Sequence, residues 1–281
     1  MLALFISFYV MTQEQLLEGT IIAIDKPRQW TSFQVVNKVK TVIRQTYGLK
    51  KFKIGHAGTL DPLATGLLLV CVGKATKRIE ELQKGEKVYS GTMVLGATTP
   101  SYDLERAIDH YYPYEHITHE LILDKIPQFV GLIDQVPPIF SAVKINGQRA
   151  YSYAREAKEG EDIPSPTPKK VLVKEFEITD FRPGRRGIEG IEKKDVIEND
   201  GLQSHLYHHP QGSVPDHLPQ VDFRIRCGKG TYIRSLARDL GLALDSGAFL
   251  SSLRREKVGD YSIENAITLD SIQDYLANIS N

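Results

Sequence analysis

Cysteine is nearly absent: two in 281 residues, Cys71 and Cys227, make neither a disulfide framework nor a metal site. Cys71 lies inside an apolar run and reads as a small core hydrophobe, which fits a reducing, cytoplasmic setting. Long hydrophobic runs are missing as well. Met1 to Val10 is apolar but only ten residues long, too short to span a bilayer. It lacks a basic leader and a clear cleavage site, so neither membrane insertion nor secretion is expected. Translation is expected to start at Met11, with residues 1–18 as an N-terminal extension. There is no net charge, 35 basic residues balancing 35 acidic ones. The balance is not local. From Lys26 to Arg78 one acid, Asp61, stands among eleven basic residues, a segment charge of +10. Such a field favours a polyanion, although a solvated face balanced elsewhere would show the same pattern.

What remains is an ordinary globular composition, 41% hydrophobic and 25% charged, long enough for one large domain or two small ones. Strands are expected at Thr20–Asp25, Leu67–Val72, Lys87–Gly96, Ser141–Ile145, Val171–Phe181, Val221–Cys227 and Arg254–Tyr261. Helices are expected after a Thr31-Ser32 cap, with Phe33, Val36, Val39 and Ile43 at helical spacing, and over Ala75–Gln83 and Glu115–Val130. Further helices are expected over Gln148–Lys158, after an Asn146-Gly147 turn, and over Tyr232–Leu244 and Leu269–Leu276. The mixture shows no strict βα alternation and no internal repeat, which argues for α+β with a largely antiparallel sheet. Residues 182–219 are rich in Gly, Pro, His and charge without an apolar period, and read as a surface insertion.

The stretch from Gly55 to Gly66, GHAGTLDPLATG, concentrates the information. It holds one carboxylate, Asp61, on a loop fixed by three glycines and a proline, directly before an apolar strand. A turn-forming Asp before Pro62 is the plain alternative. A phosphate loop is rejected. Six residues separate Gly66 from Gly73 where four are needed, and Ala75 replaces the magnesium-binding Ser or Thr. The histidines of the insertion, including the adjacent pair His208-His209, lack metal-site spacing, so no metal is expected. Two further stretches are of interest. Gly228-Lys229-Gly230-Thr231-Tyr232-Ile233-Arg234 allows close backbone approach and ends in an Arg suited to a carboxylate or phosphate. Val136 to Lys144, VPPIFSAVK, reads as a rigid loop entering a strand.

These blocks, with Asp25-Lys26-Pro27, Arg149-Ala150-Tyr151 and Leu253-Arg254-Arg255, closely resemble the TruB family of tRNA pseudouridine synthases. The resemblance implies a pseudouridine-synthase-type α+β fold, a mixed, largely antiparallel sheet with flanking helices and a central RNA-binding cleft. It implies no cofactor or metal, and a monomer acting on the T stem-loop of tRNA at uridine 55. By position, Asp61 matches the nucleophile and Arg234 the arginine that pairs with it. Tyr89 matches the tyrosine that stacks on the target uracil. His56 matches the histidine that helps seat the RNA, and Tyr232 and Leu253 match walls of the uridine pocket. Lys26, Lys74, Lys77 and Lys144 are expected to hold phosphates. A non-catalytic RNA-binding protein or tRNA-folding chaperone on the same scaffold is the alternative. Two departures stand out. Gln29 occupies a usual glycine position, and Asn281 ends the sequence without room for the RNA-binding PUA domain many bacterial members carry.

Overall fold

A computed structural model describes residues 12–141, 143–145, 148–149, 166–185 and 214–278. In chain order its elements are α1 (Gln13–Gly19), β1 (Thr20–Lys26), α2 (Ser32–Tyr47), β2 (Ile54–His56), β3 (Thr65–Val72), α3 (Ile79–Lys84), β4 (Lys87–Leu95), β5 (Ala97–Thr98) and β6 (His110–Tyr111). There follow α4 (His119–Lys125), β7 (Gly131–Gln135), β8 (Lys144–Ile145), β9 (Gln148–Arg149), β10 (Lys169–Arg182), β11 (Gln220–Cys227), α5 (Ile233–Ala243), β12 (Ala248–Val258), β13 (Tyr261–Ser262), β14 (Ile267–Thr268) and α6 (Ile272–Asn278). The chain divides into two compact units, Met1–Val88 with Arg254–Asn281, and Tyr89–Leu253. The fold is α+β with a mostly antiparallel sheet, as the sequence predicts: β1–β3, β2–β3, β7–β10, β10–β11 and β12–β13 pair antiparallel, while β1–β14 and β3–β12 pair parallel.

In the first unit, strands run in the order β14, β1, β3, β12. β3 is buried on both faces, which is why its sequence is a continuous apolar run. Leu68, Val70 and Val72 pack with Val35, Val36, Val39, Val42 and Ile43 of α2. Leu67, Leu69 and Cys71 pack on the other side with Ala75, Leu82 and Val258. Thr31 caps α2 as expected and forms a reciprocal capping box with Gln34. Phe33 departs from its expected place on the apolar stripe: it is 69% exposed, and Val35 and Val42 fill the buried face in its stead. The end of the expected extension lies in a capped helix, Gln13–Gly19, whose Leu16 is fully buried in the α2 cluster.

The second unit pairs β4, β11, β10 and β7 in order, with α5 supplying Ile233, Leu236, Ala237 and Leu240 to the core. The apolar phase of β10 slips from Val171 and Val173 to Phe176 and Ile178, and the structure shows the cause. A bulge lies between Val173 and Glu175, and a second between Ile178 and Asp180. The expected helix at Glu115–Val130 is shorter, beginning at the Thr118 cap and tightening into a 3-10 turn at Ile126–Phe129 around Pro127. Gln148–Arg149 pairs with Lys144–Ile145 as a hairpin strand and so does not begin the expected helix; the remainder of Gln148–Lys158 lies outside the described residues. The two ends of the expected insertion meet, with the Arg185 N–H donating to the His217 carbonyl; residues 186–213 lie outside the described residues.

Candidate active site

In the first unit the loop carrying Asp61 is built from below. After β2, the Ala57 N–H donates to the Leu69 carbonyl at 2.9 Å, and the Ala64 N–H closes a turn on the Asp61 carbonyl at 3.1 Å. Gly66 has φ +101°, and a Cβ there would lie 2.3 Å from the Arg255 carbonyl oxygen, so only glycine fits. The Ser32 hydroxyl accepts from the Leu60 N–H at 2.9 Å and donates to the Leu60 carbonyl at 3.2 Å. Two buried cations hold carbonyls of the loop and of the segments beside it. Arg255, 1% exposed, donates to Leu67 (2.8 Å), Gly58 (3.1 Å) and Thr59 (3.4 Å). Lys26, fully buried, donates to Trp30 (2.7 Å), Pro27 (3.1 Å) and Pro62 (3.2 Å). Bonds from charged donors are each worth about 1.5–3 kcal/mol. Asp61 stands on this scaffold partly exposed.

The electrostatics follow from burial. Desolvation pulls Lys26 down to about 8 and Arg255 adds to the lowering, while the Asp61 carboxylate opposes it. Lys26 therefore senses Asp61, but its ammonium faces carbonyls inside the protein. This corrects the expectation of a phosphate contact, since a fully buried, carbonyl-bound ammonium is not presented to RNA. His56 is half-buried. Burial lowers its pKa below the usual 6.5, against a pull from the Gly58 backbone, and Arg255 lowers it further, so the imidazole is neutral at pH 7. Among the described residues no partner meets its buried Nδ1 with hydrogen-bond geometry. Lys74 and Lys77 are exposed, Lys74 pairing with Glu18 at 2.7 Å. The backbone of Lys144 lies in β8 opposite Arg149. The flanking motifs interlock: Arg254 donates to both Asp25 carboxylate oxygens, at 3.1 and 2.7 Å.

In the second unit Arg234 lies in the first turn of α5, 4% exposed. Its guanidinium donates to the carbonyls of Ser101 (3.1 Å) and Phe140 (2.8 Å), and Asp103 lies 3.8 Å from Nε. Asp103 is itself 6% exposed and accepts from the Ser101 hydroxyl (2.6 Å) and the Glu105 N–H (3.0 Å). Tyr232 caps α5 without a side-chain cap bond. Buried Gln135 accepts from its N–H (2.8 Å) and donates to its carbonyl (3.1 Å). Tyr89 on β4 and Leu253 on β12 are half-buried against the same core. Sequence reasoning missed Asp103, Gln135 and the clamp formed by Arg255. Ser101-Tyr102-Asp103 is legible as an Asx-type turn, but nothing in it announces an arginine 131 positions away.

The class defined by this fold and these residues is that of the pseudouridylate synthases. The family model described as the TruB family pseudouridylate synthase N-terminal domain matches residues 44–196, and the tRNA pseudouridylate synthase B C-terminal domain matches residues 234–281. A Flavobacterium johnsoniae protein called tRNA pseudouridine synthase B is 49% identical over 95% of this chain and all of its own length. A Phocaeicola vulgatus protein of the same name is 44% identical over 92% of this chain and 94% of its own. Among solved structures, a Cbf5-Nop10-Gar1 complex is similar at 26% identity and a TM-score of 0.60, over 94% of this chain and 56% of that one. The chain belongs to the TruB family.

Proposed function

We propose that this protein isomerises the T-loop uridine at tRNA position 55 to pseudouridine, with Asp61 as nucleophile. The observation that carries the reading is Asp61 itself: a partly exposed carboxylate on a loop whose backbone is held by two buried cations, in a chain close to relatives named for this activity. The reaction breaks the N1–C1′ bond, turns the uracil and forms C5–C1′, while the C5 proton leaves and N1 gains one. It is redox-neutral and needs no donor group, so a single nucleophile that is regenerated suffices. A uridine reaches such a carboxylate only by leaving its stack, at a cost of a few kcal/mol that stacking on Tyr89 partly offsets. Neutral His56 would seat the RNA, and Tyr232 and Leu253 would wall the uracil. Arg234, always charged, is the arginine proposed to serve the nucleophile. Lys74 and Lys77 supply exposed positive charge for phosphates.

Tritium release from a 5-³H-uridine T stem-loop tests this. Wild type is expected to release tritium, and Asp61→Asn to bind the stem-loop and release none. Equal release by both removes the nucleophile assignment. Tight binding without release by wild type favours an RNA chaperone.

A further inference from the structure

Phe33 is 69% exposed, the largest fractional exposure among the bulky apolar side chains of the described residues. Its backbone lies between residues that are firmly bonded. Thr31 before it and Gln34 after it exchange capping bonds, with Thr31 N–H to Gln34 Oε1 at 2.8 Å and Gln34 N–H to Thr31 Oγ1 at 3.1 Å. Its neighbour Ser32 is bonded in both directions to Leu60, the residue before Asp61. Phe33 and Asp61 thus each lie one residue from the same hydrogen-bonded pair. One exposed apolar side chain is ordinary by itself; what sets Phe33 apart is the tie to the Asp61 loop and the charge around it.

The surroundings identify an occupant. Between Lys26 and Leu60 there is no acidic residue and there are eight basic ones. Along α2, Lys40 and Arg44 follow Phe33 at helical spacing on one side of the helix, and Lys50, Lys51 and Lys53 are exposed just beyond. An aromatic ring at the head of a cationic stripe is the pattern that takes single-stranded nucleic acid, bases on the ring and phosphates along the charges. We infer that Phe33 is a stacking platform for the unpaired base next to the target uridine, with Lys40 and Arg44 holding the phosphates that lead away from it. The inference rests on the proposed RNA substrate. It adds a second base-recognition element, separate from the residues assigned to the uracil.

A double-mutant cycle tests it, with stem-loop RNAs carrying an abasic nucleotide on either side of the target and with Phe33→Ala and Phe33→Trp. For Phe33→Ala, KM and the binding Kd are expected to rise about ten-fold with kcat retained, in line with the usual worth of one stacked base. Phe33→Trp should restore affinity. An abasic nucleotide at the stacked position should weaken wild type by the same factor and Phe33→Ala not at all. Lys40→Gln and Arg44→Gln should each flatten the salt dependence of binding. Thermal unfolding of Phe33→Ala should match wild type, since the ring is exposed. Unchanged affinity of Phe33→Ala overturns the inference, as do losses that multiply independently at both flanking positions. Release of tritium by wild type is read separately. Its absence defeats the proposed activity, while the cycle, scored on Kd, still decides Phe33.

Discussion

Buried cations organise both regions that carry site residues, but in opposite senses. Around Asp61, Lys26 and Arg255 are fully buried and donate to six backbone carbonyls, so the cations serve the loop. Around Arg234, the loops serve the cation: Ser101 and Phe140 offer carbonyls, and Asp103 offers a carboxylate. The difference follows from what each region presents. A carboxylate proposed as nucleophile needs a precise backbone under it, and carbonyls are the groups a cation can gather. An arginine that is to stay buried needs a counter-charge, because burying it alone is far costlier than burying a pair. Either arrangement fixes geometry before substrate arrives, which is where a preorganised site gains its rate.

The largest test removes the cation that is served. Arg234→Met leaves Asp103 buried without its charge partner and is expected to lower stability by about 3–5 kcal/mol, with loss of tritium release. Asp103→Asn keeps the shape and the hydrogen bonds from Ser101 and Glu105 but removes the carboxylate charge beside buried Arg234, so it too should cost stability, as well as turnover through a misplaced Arg234. If both variants remain fully active, the second region is structural and the comparison breaks.

Arg255→Met tests the serving cation. Two loop carbonyls, Gly58 and Thr59 just ahead of Leu60 and Asp61, and the Leu67 carbonyl of β3 lose their donor, and the expected cost is about 2–4 kcal/mol. Damage should be local first: amide exchange at Leu60, now bonded to Ser32, should speed up more than exchange in β3. Uniform acceleration would mean that Arg255 holds the core and has no special role at the loop.

A pH profile reads Lys26 without a mutation. Its pKa in the fold is about 8, against 10.5 for the free side chain, so above pH 8 the ammonium becomes an amine with two hydrogens for three carbonyls. Turnover is expected to decline with a midpoint near pH 8. Global stability should not decline with it on this group's account. Between about 8 and 10.5 the unfolded chain binds the extra proton, so the Lys26 contribution to stability rises with pH. Parallel loss of stability and turnover would assign the decline to another group.

The first region was largely legible in the sequence and the second was not, and the reason is range. Gly55 to Gly66 writes its geometry locally, through glycines at positive φ, a proline and an apolar strand beside it. The slip of apolar phase in β10 likewise records its bulge. Arg234 depends on Asp103 and on the carbonyls of Ser101 and Phe140, which no spacing rule links to it. Charge was the weakest guide. Lys26 and Lys74 belong to one basic field in the sequence, yet one is fully buried and the other exposed in an ion pair with Glu18. Composition records a charge, and only the fold records which side of the surface it is on. For Phe33 the error ran the other way: helical spacing placed it inside, and the capping box around it turned it out.

The smallest expected effect concerns Gln29, at a position where the family resemblance implies glycine. Its φ is +68°, a left-handed conformation that a side chain enters at a cost of about 1–2 kcal/mol. The strain has a use: it aims the Gln29 N–H at the Pro62 carbonyl, 2.8 Å away, beside the bond from Lys26. Gln29→Gly keeps that N–H and removes the clash, at the price of greater freedom in the unfolded chain. The net gain should be about 0.5–1 kcal/mol, a rise in Tm of roughly 1–4 °C, with turnover unchanged. Gln29→Ala should be near neutral, since it keeps both the strain and the donor. Gln29→Pro should destabilise and slow turnover, because it loses the donor and fixes φ near −65°. A Gly variant no more stable than wild type would show that the Pro62 anchor, and with it the clamp beneath Asp61, already relaxes the strain at Gln29.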